Sequence, residues 1–213
     1  MPYSQYTNLQ SIRQKLGISV HFTTWLPACP AVEPSALLVQ LLERYTRNRT
    51  AYFNEKSRSE GIVFPVLSEL QYLHNFSFAL YSGANIEGEK DLGLNGECDF
   101  VLSNSKQSIE VESPIFCVVE AKDNDLELGI PQCIAQLCGV DLYNKKVENK
   151  SLPILYGAVT TGTEWNFLKK EGTSVYIDSE LYPLKNLSEL LGVLNYLIEN
   201  AIQNATLSTT THV

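Results

Sequence analysis

Asp99, Glu120 and Lys122 fall where apolar β patterns should continue. The stretch "IFCVVEAKDND" opens with the apolar run Ile115 to Val119 and then turns to Glu120 and Lys122. Side chains alternate across a strand, so positions 116, 118, 120 and 122 share one face. Glu120 and Lys122 therefore point the same way at the end of an apolar strand. An uncompensated charge in that position is costly. Either the strand simply exits into solvent, or the charges have partners.

A partner carboxylate lies about twenty residues earlier, where Asp99 interrupts the apolar run of "GECDFVLSN". A short connection makes the two strands antiparallel neighbours, and Asp99 can then meet Glu120 across the pair. Two adjacent carboxylates repel unless a cation lies between them. Their oxygens are the hard ligands that Mg²⁺ and Mn²⁺ prefer. Lys122 adds a fixed positive charge that can stabilise developing negative charge or orient a water. The same residues could also form a purely structural ion pair.

The elements that must hold these residues follow from periodicity. Residues 7 to 17 read as a short helix stopped by Gly17. "VHFTTW" is a strand or an extended connection, and "LPACPAVEP" a loop. Pro34-Ser35 opens a helix whose apolar stripe is Leu37, Leu38, Leu41, Leu42 and Tyr45. A second helix is expected from about Ser59 to His74, burying Val63, Phe64, Leu67 and Leu70, with Glu60 on the same stripe and Pro65 able to bend it. Glu69 falls on a neighbouring stripe with Ile62 and Tyr72.

From Phe76 the period becomes that of strands: "FSFALYSG", "GECDFVLSN" and "SPIFCVVEAK". "GIPQCIAQLCGVDLYNKK" returns to helix, with Pro131 in its first turn. "LPILYGAVTTG" reads as a central strand, and "EWNFLKKEGTSVYIDSELYPL" as a hairpin or two outer strands. "SELLGVLNYLIENAIQ" is a closing helix with Ser188 as N-cap, and "NATLSTTTHV" a frayed tail. This order predicts an α/β protein, a mixed sheet covered by helices on both faces.

Composition narrows the chemistry. The 213 residues are 44% hydrophobic and 19% charged, as in a folded domain. No apolar run reaches the roughly 20 residues that span a membrane. The first residues lack a signal-peptide layout, which gives a cytoplasmic expectation. Five cysteines without C-x-x-C spacing read as buried, reduced thiols, and His21, His74 and His212 are scattered. The net charge of -8 does not favour a polyanion partner, although an acidic cation site would supply part of it. One stretch is locally basic: "RYTRNRTAYFNEKSR" sets Arg44, Arg47, Arg49, Lys56 and Arg58 among Tyr45, Tyr52 and Phe53. Such a stretch pairs with phosphates and stacks on bases, or is a solvated helix face.

Asp99, the gap that follows it, and Glu120-Ala121-Lys122 after an apolar strand resemble the signature of the PD-(D/E)XK nuclease superfamily. The resemblance covers roughly residues 55 to 180. It implies a restriction endonuclease-like mixed sheet flanked by helices over residues 55–205. A helical extension over 1–54 would pack on that core, and 206–213 would form the tail. It implies a Mg²⁺-dependent phosphodiester hydrolase, with Mn²⁺ as substitute, acting on DNA in preference to RNA. Asp99 and Glu120 would hold the metal, with the carbonyl of Ala121 as a further ligand, and Lys122 would position the attacking water.

Members of the superfamily often carry a glutamate on the leading helix. Glu60 is the best match, assisting a second metal or a water, with Glu69 and Glu55 as runners-up. Polar residues on the following helix match Gln132 and, four residues on, Gln136. Asp123 and Asp125 read as loop acids. Cys98 replaces the proline of the first motif. Symmetric assembly is compatible with the resemblance. The alternative is a non-catalytic binding module that retains the scaffold.

Overall fold

The computed structural model describes residues 3–47, 52–105, 108–122, 125–148 and 151–210. After a 3-10 turn, Tyr3–Gln5, comes α1, Leu9–Leu16. Asn8 caps α1 by accepting the Ser11 amide at 2.9 Å, and Gly17 ends it at φ 65°, a conformation that glycine adopts without a Cβ clash. β1, Ser19–Phe22, follows. The Ser35 hydroxyl accepts the Leu38 amide at 3.2 Å and so starts α2, Ala36–Arg47. Of the expected α2 stripe Leu38 and Leu42 are buried, whereas Leu37 and Tyr45 face outward.

The next helix begins earlier than its periodicity suggests. Asn54 caps α3, Glu55–Arg58, which runs through a π turn, Ser59–Val63, into α4, Phe64–Leu73. Pro65 explains the π turn. Proline has no N–H for the carbonyl four residues back, and its ring crowds that carbonyl. The widened turn bonds the Phe64 amide to the Ser59 carbonyl instead. The inserted residue rotates the faces on either side. Val63, Leu67 and Leu70 are buried as expected, together with Ile62 and Val66, but Phe64 and Glu60 are exposed.

The sheet is mixed and eight-stranded. β2 (Ala79–Glu89), β3 (Leu94–Ser103) and β4 (Ile115–Ala121) form an antiparallel meander. α5 (Leu126–Glu148) crosses to β5 (Ile154–Thr160), which lies parallel to β4. β6 (Glu164–Glu171) and β7 (Ser174–Ile177) continue antiparallel, and β8 (Tyr182–Pro183) pairs with β6. The order is β1-β7-β6-β5-β4-β3-β2. After a 3-10 turn, Leu184–Asn186, α6 (Leu187–Thr210) closes the fold.

β4 is buried at all seven positions, because helices cover both faces of the sheet. α5 lies over β2 to β5, and α6 over β4 and β5 on the other side. α5 approaches β2 closely: a Cβ on Gly88 would stand 2.6 Å from the Gly139 carbonyl oxygen. The α/β class and the mixed sheet match expectation. Several details differ from it. β1, inside the first 54 residues, is a strand of the sheet, parallel to β7. α5 starts at Leu126, so Pro131 sits inside the helix. Ser188 lies within α6, whose last residues extend over the expected tail. No helix among the described residues is long and apolar enough to cross a membrane.

Candidate active site

β3 and β4 bring the two carboxylates together. The antiparallel pairing of the two strands runs to Phe100 and Val119, the residues next to Asp99 and Glu120, and the Asp99 charge acts on Glu120. Glu120 lies on the sheet face under α5, where Gln136 reaches it. Asp99 Oδ2 accepts the Ala121 amide at 2.7 Å, which ties its carboxylate to the end of β4. Burial raises the Asp99 pKa, against the opposing pull of the Ala121 amide and Lys122.

Glu120 is buried between the sheet and α5. Gln136, from α5, donates to its Oε2 at 2.6 Å, and Lys122 Nζ stands 2.5 Å from its Oε1. Burial and then the neighbouring Asp99 charge push its carboxyl up to about 7, in spite of Lys122 and Gln136. Burial alone would lower the Lys122 pKa; Glu120, followed by Glu55 and Asp99, raises it. Lys122 is held at its backbone as well, since its amide donates to the Thr160 carbonyl at 2.7 Å. Its stem runs along the first turns of α5, where a Cβ on Gly129 would come within 3.0 Å of Lys122 Cγ. The site is thus a buried and a half-buried carboxylate closed on one side by an ammonium.

The leading-helix carboxylates separate cleanly. Glu55, at the start of α3, places Oε2 3.8 Å from Lys122 Nζ. Glu60 points to solvent and pairs with Lys56 at 3.7 Å. Glu69 is buried elsewhere, accepting the Ser35 amide at 2.7 Å and the Ser35 hydroxyl at 2.9 Å. Gln132 is half-buried one turn before Gln136, and it is Gln136 that reaches Glu120. Asp125 accepts the Glu127 amide at 2.9 Å and caps α5, while Asp123 lies outside the described residues. In the basic stretch Arg44, Arg47, Lys56 and Phe53 are exposed. Arg58 sits over the Tyr52 ring and donates to the Thr161 carbonyl at 3.4 Å; Arg49 lies outside the described residues.

The two carboxylates offer hard oxygen donors, and the Lys122 ammonium stands beside them as a fixed positive charge and not as a ligand. Among the described residues no group of three or more His, Cys, Asp or Glu side chains could hold a metal ion. The set suits Mg²⁺, which binds through one or two carboxylates and keeps several waters. It does not suit a thiophilic metal. Cys98 and Cys133 are buried near Glu120, and their thiols are pushed well up, first by burial. Beside this cluster Gln136 Oε1 is buried and has no hydrogen-bond partner among the described residues.

Two residues of the site carried weaker sequence signals. Helical spacing counted straight through the π turn at Ser59–Val63 favours Glu60 over Glu55. Gly129 opened the predicted helix, but only the structure shows that its missing side chain makes room for Lys122 and Val159. Compared with protein-family models and with curated proteins, the chain gives no match.

Proposed function

We propose that this protein is a metal-dependent nuclease hydrolysing phosphodiester bonds in nucleic acid, with DNA favoured over RNA as the reading of its substrate. The observation that carries this reading is the convergence of Asp99, Glu120 and Lys122 at the end of β4, where Asp99 accepts the Ala121 amide and Lys122 pairs with Glu120. A Mg²⁺ ion, or Mn²⁺ in its place, would be held by Asp99 and Glu120 with the Ala121 carbonyl, and would supply stabilisation of the phosphoryl and leaving oxygens. The protein's own residues do the rest. Asp99 is held in place by the Ala121 amide, and Gln136 holds Glu120. Lys122 keeps its proton through its carboxylate neighbours and would orient the attacking water. Glu55 would steady the amine from the opposite side.

A second reading is supported by the closeness of Lys122 to Glu120. Such a pair, with Gln136 on the remaining oxygen, also suits a structural ion pair in a non-catalytic binding module. The test is cleavage of single- and double-stranded DNA and RNA with Mg²⁺ or Mn²⁺. The expected result is metal-dependent cleavage that Lys122→Ala abolishes while the circular dichroism spectrum is kept. No cleavage, together with no Mn²⁺ binding by calorimetry, would establish the second reading in its place.

A further inference from the structure

Away from the acid pair, α2 and α4 leave a groove of about 580 Å³ between them. The two helices run antiparallel: Ser35 at the start of α2 bonds to Glu69, and Tyr45 near its end lies against Gly61. Large apolar residues line the groove, among them Leu37, Leu41, Tyr45, Phe64, Tyr72 and Phe76. Five of them are strongly exposed: Leu37 66%, Tyr45 45%, Phe64 42%, Tyr72 62% and Phe76 61%. Phe76 also has a left-handed backbone, φ 53°, which is a rare state for a bulky residue. Its amide donates to the Gln71 carbonyl at 2.7 Å, so the chain holds the aromatic ring at the groove in spite of that conformation.

We infer that this groove is the contact between two copies of the chain, related by a two-fold axis. The area supports this occupant. At about 200 Å² per large side chain, the exposed apolar surface is about 500 Å². A standard interface buries about 800 Å² per partner, of which about six-tenths is apolar. The groove therefore supplies the apolar share of one side of such an interface. Its shape supports a second copy. Leu37, Leu41 and Tyr45 recur at four-residue spacing, so α2 presents an outward ridge beside its own groove. A two-fold axis lets the α2 ridge of each copy sit in the α2–α4 groove of the other, the self-complementary contact that closes a dimer.

Sedimentation velocity on the full chain across the micromolar range tests this. A concentration-dependent dimer is expected. Leu37→Glu and Tyr72→Glu should each raise its dissociation constant by about tenfold or more, with the circular dichroism spectrum unchanged. Phe76→Gly separates docking from folding: it should raise the thermal midpoint of the monomer by releasing the left-handed backbone, yet weaken the dimer. A chain that stays monomeric throughout overturns the inference, even if it captures an amphipathic peptide. So does a dimer indifferent to Leu37→Glu and Tyr72→Glu. Neither result bears on metal binding at Asp99 and Glu120, which calorimetry reads separately.

Discussion

Lys122 Nζ stands 2.5 Å from Glu120 Oε1 and 3.8 Å from Glu55 Oε2, so one ammonium serves a buried carboxylate and a half-exposed one. Breaking a buried pair leaves the surviving charge without compensation, and that loss exceeds the pair's own net contribution. Lys122 is therefore needed for stability whenever Glu120 is ionised, apart from any part it plays in phosphoryl chemistry.

Lys122→Met should destabilise the protein by about 3 kcal/mol at pH 8, where Glu120 must carry a charge or take a proton. At pH 5 the loss should be much smaller, because Glu120 is then protonated. Urea unfolding of both proteins at the two pH values measures this. An equal loss at both would mean that the methylene stem of Lys122, packed on Gly129, matters more than its charge.

The Glu120 carboxyl itself predicts a pH dependence of stability. In the fold its pKa rises from the ordinary 4.5 to about 7. The native state binds the proton more tightly than the unfolded chain, so this contribution is complete below about 4.5 and is lost as pH rises through about 7. At one pKa unit per roughly 1.4 kcal/mol, the total is about 3 kcal/mol at most. Asp141 runs the other way. Burial would raise its pKa, but Lys170 and Lys145 lower it, so its contribution is lost in acid. The informative quantity is the difference between Glu120→Gln and the parent, which should move in favour of the variant by up to that amount from pH 5 to pH 8. Chemical unfolding across that range reads it directly.

The acid pair was legible in the sequence because both signals are local. A charge in an apolar strand stands out, and antiparallel pairing of two strands that follow one another in the chain brings Asp99 near the end of β4. The helix carboxylate was harder to read. The π turn at Ser59–Val63 shifts the register by one residue, so spacing counted from Val63 back to Glu60 names the wrong face. Pro65 signalled a disturbance without saying that the helix would widen instead of bending. The pairing of β1 with β7 joins segments more than 150 residues apart, and no local pattern encodes it. Depth was also hidden. Gln132 and Gln136 share a helix face, but only the packing of α5 on the sheet decides that Gln136 meets Glu120.

Asp99→Asn tests the repulsion between the acids. The variant keeps an oxygen to accept the Ala121 amide and loses the charge that helps to raise the Glu120 pKa. Glu120 should then titrate below about 7, and the protein should gain about 1 kcal/mol at pH 8. Carbon-13 chemical shifts of the Glu120 carboxyl follow the first, and calorimetric unfolding the second. If the metal reading is right, Mn²⁺ affinity falls in the same variant while its stability rises, a combination that a merely disrupted fold would not produce.

The three helix glutamates make the sharpest division between chemistry and architecture. Glu60 is exposed and pairs with the equally exposed Lys56, so Glu60→Gln should leave both stability and cleavage unchanged. Glu69 accepts two hydrogen bonds from Ser35 and so fixes the start of α2; Glu69→Ala should cost about 2 kcal/mol and spare the cleavage rate of the folded fraction. Glu55→Gln should have the reverse profile. The fold should hold, because Glu55 is partly exposed, while the Lys122 pKa comes down with the loss of one of the charges that raise it. Cleavage should fall in proportion as the amine is less well held. Unfolding curves and metal-dependent cleavage rates for the three variants decide it. A Glu60→Gln protein that folds normally but does not cut, beside an active Glu55→Gln, would return the helix carboxylate to Glu60 and require the π turn to rearrange when substrate binds.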